Sequence, residues 1–412
     1  MKFRWNIDNH FEKSLLYWAS QFPYCAWFNP NGWQKDYPKG SFPKMLAVAT
    51  QKESYSFLEV VDTQKWLIGY LGYDLKNQLE NLTSQNPYFL DFDDFLCFEP
   101  QFLFIWLDDY TLEVHTQEPL LQDSILQVNP LPPQTVLGEL QSRVSFEQYC
   151  KQVEKIKQHI VEGDVYELNY CIEFFAENTQ IDPLQTYLSL CQHSPMPFSV
   201  FLKSNHLYAL CASPERFLKK TGNQLISQPI KGTIPRGQTP QEDALQKEKL
   251  RHNEKEMAEN MMIVDLVRND LARGATIGST QVTEMFGIYT FRQLHQMIST
   301  IEAQLHPQKS IADILRYTFP MGSMTGAPKI KAMELIEYYE NTRRGLFSGA
   351  IGFINPEGDF DLNVVIRTIF YDAQKKYLSF QVGSAITYDA VAEQEYQECL
   401  LKARAIKEVL GF

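Results

Sequence analysis

The stretch "VYELNYCIEFF", from Val165 to Phe175, constrains the fold more than any other part of the sequence. Successive side chains of a strand point to opposite sides of a sheet. Tyr166, Leu168, Tyr170 and Ile172 therefore share one face, and Glu167, Asn169, Cys171 and Glu173 the other. A strand with so polar a second face either meets water or lines a polar cavity. Just before it, Phe146, Tyr149, Val153, Ile156 and Ile160 recur at helical spacing, with Ser145 placed to cap the helix and Gly163 to stop it. Further on, the pattern predicts a long helix over about 243–273, a loop and helix over about 322–340 and a C-terminal helix from about 390. It also predicts strands near 347–354, 361–370 and 377–386. Strands and helices mix without strict alternation, which predicts an α+β fold and not a doubly wound sheet.

The proline-rich "VNPLPPQ" at 128–134 reads as a connector between an N-terminal region, 1–135, and a second region, 141–412. The first region is rich in aromatics and short apolar runs, such as "KWLIGYLGYDL" and "FLFIWLDDYTLEV". At 412 residues the length alone suggests two or three domains. The net charge of −12 argues against nucleic-acid binding, so any anionic ligand needs locally placed positive charge. Seven cysteines at wide spacing, with no Cys-x-x-Cys, argue against a disulfide framework or zinc site and fit a reducing cytoplasm. The N-terminus lacks an apolar signal core, and no run reaches about 18 apolar residues, so no membrane span is expected.

Several segments place reactive side chains in unusual settings. "QPIKGTIPRG" sets Lys231 between Ile230 and Gly232, in a stretch whose prolines and glycines make a poor helix and a poor central strand. Glu259 shares a helical face with Met262, Ile263 and Leu266, where a carboxylate is costly unless paired or bound to metal. Glu395 and Glu398 lie on one helical face with Lys402. Two such helices facing each other would suit Mg²⁺, which favours a few carboxylates and an anionic substrate. In "FPMGSMTGAPKIKAMELIEYYE", Gly322 and Gly326 flank a loop and Pro328 opens a helix whose free N–H groups attract anions. Arg367 falls inside the apolar run "LNVVIRTIF", and its planar fork matches a carboxylate. Glu215 follows Pro214 at a turn. Taken singly, each reads as an ion pair, a plain turn or a solvated helix face. Taken together they describe local devices for a carboxylate, Mg²⁺ and acid–base chemistry.

The motifs "PIKGTIPRG", "AENMMIVDLVRNDL", "GSMTGAPKIKAME", "FSGAIGF", "NVVIRT" and "EYQECLLKA" occur in this order. In them the chain resembles the chorismate-utilising enzymes: anthranilate synthase component I, aminodeoxychorismate synthase component I, isochorismate synthase and salicylate synthase. The likeness covers roughly residues 145–412 and extends more loosely to "LIGYLGYDL". It implies one large globular unit of two packed β-sheets flanked by helices, with region 1–135 packed into the same unit as the chorismate-binding region 141–412. It implies chorismate as substrate and Mg²⁺ as cofactor, with Glu259 and Glu398 as metal ligands and Glu395 alongside. Arg367 would hold a substrate carboxylate. Gly232, Thr233, Thr325, Gly326, Gly383, Lys402 and Phe347 would supply further substrate contacts, and Glu215 the general acid.

Two positions separate branches of the family. Isochorismate and salicylate synthases carry a water-activating lysine where this chain has Glu167. Anthranilate synthases have alanine where this chain has Lys231, a lysine that marks the aminodeoxychorismate synthase branch. The resemblance then implies covalent catalysis: the neutral Lys231 amine attacks ring carbon 2 and the 4-hydroxyl leaves with a proton from Glu215. Ammonia next adds at carbon 4 and expels the lysine, giving 4-amino-4-deoxychorismate for 4-aminobenzoate and folate synthesis. No glutaminase segment is evident in the sequence, so a partner glutamine amidotransferase is expected to supply ammonia. The rival outcomes are ortho amination, as in anthranilate synthase, and a non-catalytic chorismate-binding scaffold. Ile234, Gln296 (beside His295), Ala385, Phe347 and Glu167 differ from residues common in the family, while Lys231, Glu215, Glu259 and Glu398 are intact.

Overall fold

A computed structural model describes residues 1–56, 64–120, 122–126 and 135–412. The connector at 128–134 lies outside them. Among the described residues the strands form two sheets, one of twelve strands and one of nine, and the pairing within them is antiparallel. Helices accompany both, as the α+β expectation requires. Strands from the first third run inside both sheets. Tyr24–Asn29 pairs with Phe198–Ser204 in the larger sheet, and Leu67–Leu71 with Ala350–Ile354 in the smaller. The sheets meet through aromatic side chains. Phe28 of the larger sheet touches Phe353 of the smaller edge-on at 5.6 Å, and Phe42 packs on both Phe198 and Phe353. Burying each such ring removes apolar surface from water, worth about 1.5–3 kcal/mol apiece.

Helix Phe146–Glu162 forms where the spacing predicts it. Ser145 and Gln148 build a reciprocal capping box, and Gly163 ends the helix at φ 84°. The polar-faced strand is Glu167–Ala176, buried along its whole length, with Tyr166 left outside and 70 % exposed. Its polar face does not meet bulk water. Glu173 pairs with Arg143 at 3.2 Å, and Asn169 reaches a cavity. Strand Tyr377–Ile386 and helix Ala392–Leu410 follow the expected positions.

Two expectations need correction. The helix predicted over 243–273 is two helices, Pro240–Arg251 and Glu254–Ala272. The Asn253 side chain accepts from the Glu256 N–H and caps the second, a role asparagine fills better than a helix interior. The strand predicted over 361–370 is also two: Phe360–Asn363 in the smaller sheet and Thr368–Asp372 in the larger. The chain crosses from one sheet to the other between them. Arg367 therefore lies in a crossover, not inside a strand, at φ 51°.

Candidate active site

A cavity of about 400 Å³ lies where this crossover meets strands Ile230–Pro235 and Tyr377–Ile386 and helices Glu254–Ala272 and Ala392–Leu410. Strand Ile230–Pro235 ends the chain of paired strands in the smaller sheet, the position that tolerates proline. Its pairing with Leu294–Gln304 slips between Ile230 and Thr233. Gly232 occupies the slip at φ 100°, a backbone conformation other residues adopt at a cost. The bulge sets Lys231, Gly232 and Thr233 all on the cavity wall. A Cβ at Gly232 would also come within 3.2 Å of the Glu256 carboxylate.

Glu215 faces Lys231 and Arg367 across the cavity and is only 4 % exposed. Burial pushes its carboxyl up to about 7, against a hydrogen bond from Ser323 Oγ at 2.6 Å, one from the Ile230 backbone, and the charges of Lys231 and Arg367. A carboxyl held near neutrality can give up a proton at physiological pH. Arg367 is half-buried and borders the cavity. Among the described residues, its side-chain hydrogen bond runs to Met196 Sδ at 3.9 Å. Burial lowers its guanidinium to about 10, with Glu215 opposing, so it stays cationic at neutral pH.

Carboxylates from two helices also gather at the cavity. Glu256 and Glu259 come from one, Glu395 and Glu398 from the other. Burial raises Glu256 to about 7, helped by repulsion from Glu259 and Glu398. Burial likewise raises Glu259 and Glu395. Glu398 alone is lowered, chiefly by Lys402, whose Nζ lies 2.7 Å away and also donates to the Gly383 carbonyl at 2.8 Å. Lys255 Nζ stands between the helices, 3.2 Å from Glu395 and 3.7 Å from Glu259 Oε1. The latter is too long for a hydrogen bond, and Glu259 Oε1 is buried without one. The acceptor-only ligands, their mutual repulsion and this orphaned oxygen fit a hard dication such as Mg²⁺. The carboxylates are not drawn in to ligand spacing. Among the described residues, the group with three potential ligand atoms within 4.8 Å is His159, Glu162 and Asp164, where the histidine is already held by Asp164 and Tyr339.

The structure thus brings together Lys231, Glu215, Arg367, Gly232, Thr233, Gly383, Lys402, Phe347, Glu259, Glu395 and Glu398. It does not bring Thr325 and Gly326 to the cavity wall. Thr325 Oγ1 turns back to the Met321 carbonyl, and Gly326 pairs with Leu168, its backbone pressed against the Glu167 carbonyl. Ser323 and Met324 line the cavity instead. Sequence reasoning missed Ser323, Lys255 and Glu256. The last had a signal: it lies one helical turn before Glu259. Gln296 lines the cavity, whereas His295 points the other way and bonds to Asp243 at 2.9 Å, because adjacent strand residues face opposite sides.

A cavity with a near-neutral buried acid, an amine and a guanidinium that forms no ion pair among the described residues is built to bind a small anion and move protons on it. The sequence profile of chorismate binding enzymes matches residues 17–408, and the chain belongs to that family. It is 34% identical over 371 residues to aminodeoxychorismate synthase component 1 of Bacillus subtilis (strain 168), covering 85% of this chain and 78% of that protein. It is 36% identical over 352 residues to the component 1 of the same name from Escherichia coli (strain K12), covering 83% and 76%. Its structure matches anthranilate synthase component I from Streptococcus pneumoniae TIGR4 with a TM-score of 0.73 at 28% identity, over 84% of this chain and 80% of that one.

Proposed function

We propose that this chain is the chorismate-aminating component of an aminodeoxychorismate synthase, making 4-amino-4-deoxychorismate from chorismate and ammonia. The observation that carries the reading is Lys231. A glycine bulge at a sheet edge aims an amine into the cavity that also holds the near-neutral Glu215. Arg367, which forms no ion pair among the described residues, takes one substrate carboxylate. Thr233, Phe347 and the Gly383 backbone shape the remaining wall, with Lys402 held between Glu398 and Gly383. Ser323 orients the Glu215 carboxyl.

The Lys231 amine attacks ring carbon 2 as the double bonds shift and the carbon 4–oxygen bond breaks. The hydroxyl leaves as water with the proton of Glu215. Nζ is then a secondary ammonium. Ammonia attacks carbon 4, the carbon 2–Nζ bond breaks, and its electron pair returns to the lysine. One hard displacement becomes two easier ones. Glu259 and Glu398, with Glu395 beside them, would hold Mg²⁺. When bound, the dication supplies positive charge that offsets the carboxylate cluster and attracts an anionic oxygen of the substrate. The ammonia comes from a partner glutamine amidotransferase, a reading supported by the name component 1 in the relatives. No helix among the described residues is long and apolar enough to cross a membrane, and all seven cysteines are unpaired, in keeping with a cytoplasmic enzyme.

The test is direct. The chain is incubated with chorismate, Mg²⁺ and ammonium at alkaline pH, and the product is identified by mass spectrometry and fluorescence. The expected product is 4-amino-4-deoxychorismate, lost in Lys231→Ala. Anthranilate as product, or no turnover even with a glutaminase present, would sink the reading.

A further inference from the structure

Glu167 has no task in the steps above, yet its setting is unusual. It is 2 % exposed, on the strand that Gly326 and Ala327 cover. Its Oε2 lies 3.9 Å from Lys231 Nζ and has no hydrogen-bond partner. Buried polar atoms are nearly always satisfied, so an orphaned carboxylate oxygen beside an amine needs a reason. A purely structural ion pair would close to about 2.7–2.9 Å and would favour the ammonium, which cannot attack.

We propose that Glu167 is the proton acceptor that frees the Lys231 amine for attack. The inference rests on Lys231 acting as the nucleophile. One N–H bond of the ammonium breaks and the proton passes to Glu167 Oε2, leaving a neutral amine and a neutral acid. The amine then forms the carbon 2–Nζ bond while Glu215 protonates the departing hydroxyl. Ammonia addition returns the neutral amine and leaves an ammonium on the product, one proton of which restores Glu215. Glu167 finally gives its proton back to Lys231, so atoms and charge balance over the cycle.

The surroundings favour this assignment. Lys231 also lies in the field of Glu215, of Glu256 and Glu259 with neighbouring Lys255 on one helix, and of Glu398 on another. Among the described residues, Glu167 is the carboxylate that comes within 4 Å of Nζ. Burial raises its affinity for a proton, with the Lys231 charge opposing.

While the pair holds one shared proton, the fraction of neutral amine does not depend on solvent pH. The test uses the purified chain without turnover. Lys231 is labelled with trinitrobenzenesulfonate and the rate is followed by peptide mass spectrometry. Between about pH 6 and 8 the wild-type rate is expected to change by less than about twofold, whereas in Glu167→Gln it should rise about tenfold per pH unit. Glu167→Asp should keep the flat profile, and serves if Glu167→Gln fails to fold. At a constant concentration of free ammonia, kcat/KM for chorismate should fall about 10²–10⁴-fold in Glu167→Gln and recover towards high pH. A wild-type labelling rate that climbs as steeply as that of the variant overturns the proposal. Full amination by Lys231→Ala would instead overturn the nucleophile reading, so the two failures are distinguishable.

Discussion

Arg344 and Arg367 are both carried into the interior, and what surrounds them differs completely. Arg344 is 2 % exposed and fully engaged. Its Nε and Nη2 meet both oxygens of Glu340 at 2.9 and 2.6 Å, Nη1 donates to the Met324 carbonyl at 2.6 Å, and Nη2 donates to the Asn169 carbonyl at 2.7 Å. Glu340 in turn accepts from the Cys171 N–H. This clamp ties the 322–324 turn to strand Glu167–Ala176, so it places Ser323 and Asn169 at the cavity without entering it. Arg367 has Met196 Sδ and an open cavity in place of such partners. A satisfied buried charge braces the fold. An unsatisfied one, held at positive φ in a crossover, is a candidate anchor for a ligand carboxylate.

The comparison breaks most visibly under truncation. Arg344→Ala strands the Glu340 charge and is expected to cost about 3–5 kcal/mol in urea unfolding. Arg367→Ala breaks no ion pair within 4 Å among the described residues, so its stability should move by less than about 1 kcal/mol. Equal destabilisation by the two would contradict the contrast. Chorismate affinity should respond in the opposite sense. By calorimetry Arg367→Ala loses a charge-assisted contact worth about 1.5–3 kcal/mol, roughly ten- to 150-fold in Kd.

The carboxylates of the cavity sharpen the point. Mg²⁺ at about 100 times its Kd should stabilise the chain by about 2.7 kcal/mol. Thermal melts should show the rise in wild type and its loss in Glu259→Gln. Glu215 gives a smaller, pH-dependent signal. Its folded value of about 7 lies above the ordinary 4.5. Its contribution to stability is therefore fully present below about pH 4.5 and lost as pH rises through about 7. Measured against Glu215→Gln, the wild type should lose about 1–3 kcal/mol between those limits. A constant difference across that window would show that Glu215 titrates like an exposed carboxylate.

Much of this was legible in the sequence where local rules decide. Ser145 and Gly163 bound their helix by capping chemistry that operates within a few residues. The carboxylates at 259, 395 and 398 stood on helical faces and do gather at one cavity. What local pattern could not show was long-range. "LNVVIRTIF" is a continuous apolar run, and only its tertiary partners split it between two sheets. The break at Asn253 was hidden because flanking helical patterns run on either side of it. Thr325 and Ser323 are neighbours in one loop, and which of them reaches the cavity depends on the Arg344 clamp holding the Met324 carbonyl.

The most direct measurement is to trap the first covalent step. The chain is mixed with chorismate and Mg²⁺ without any ammonia source, quenched in acid, digested and mapped by mass spectrometry. The account predicts an adduct with the mass of chorismate less one water on the peptide carrying Lys231, absent in Glu215→Gln. An unmodified Lys231 in a chain that, given ammonia, still makes 4-amino-4-deoxychorismate would contradict it.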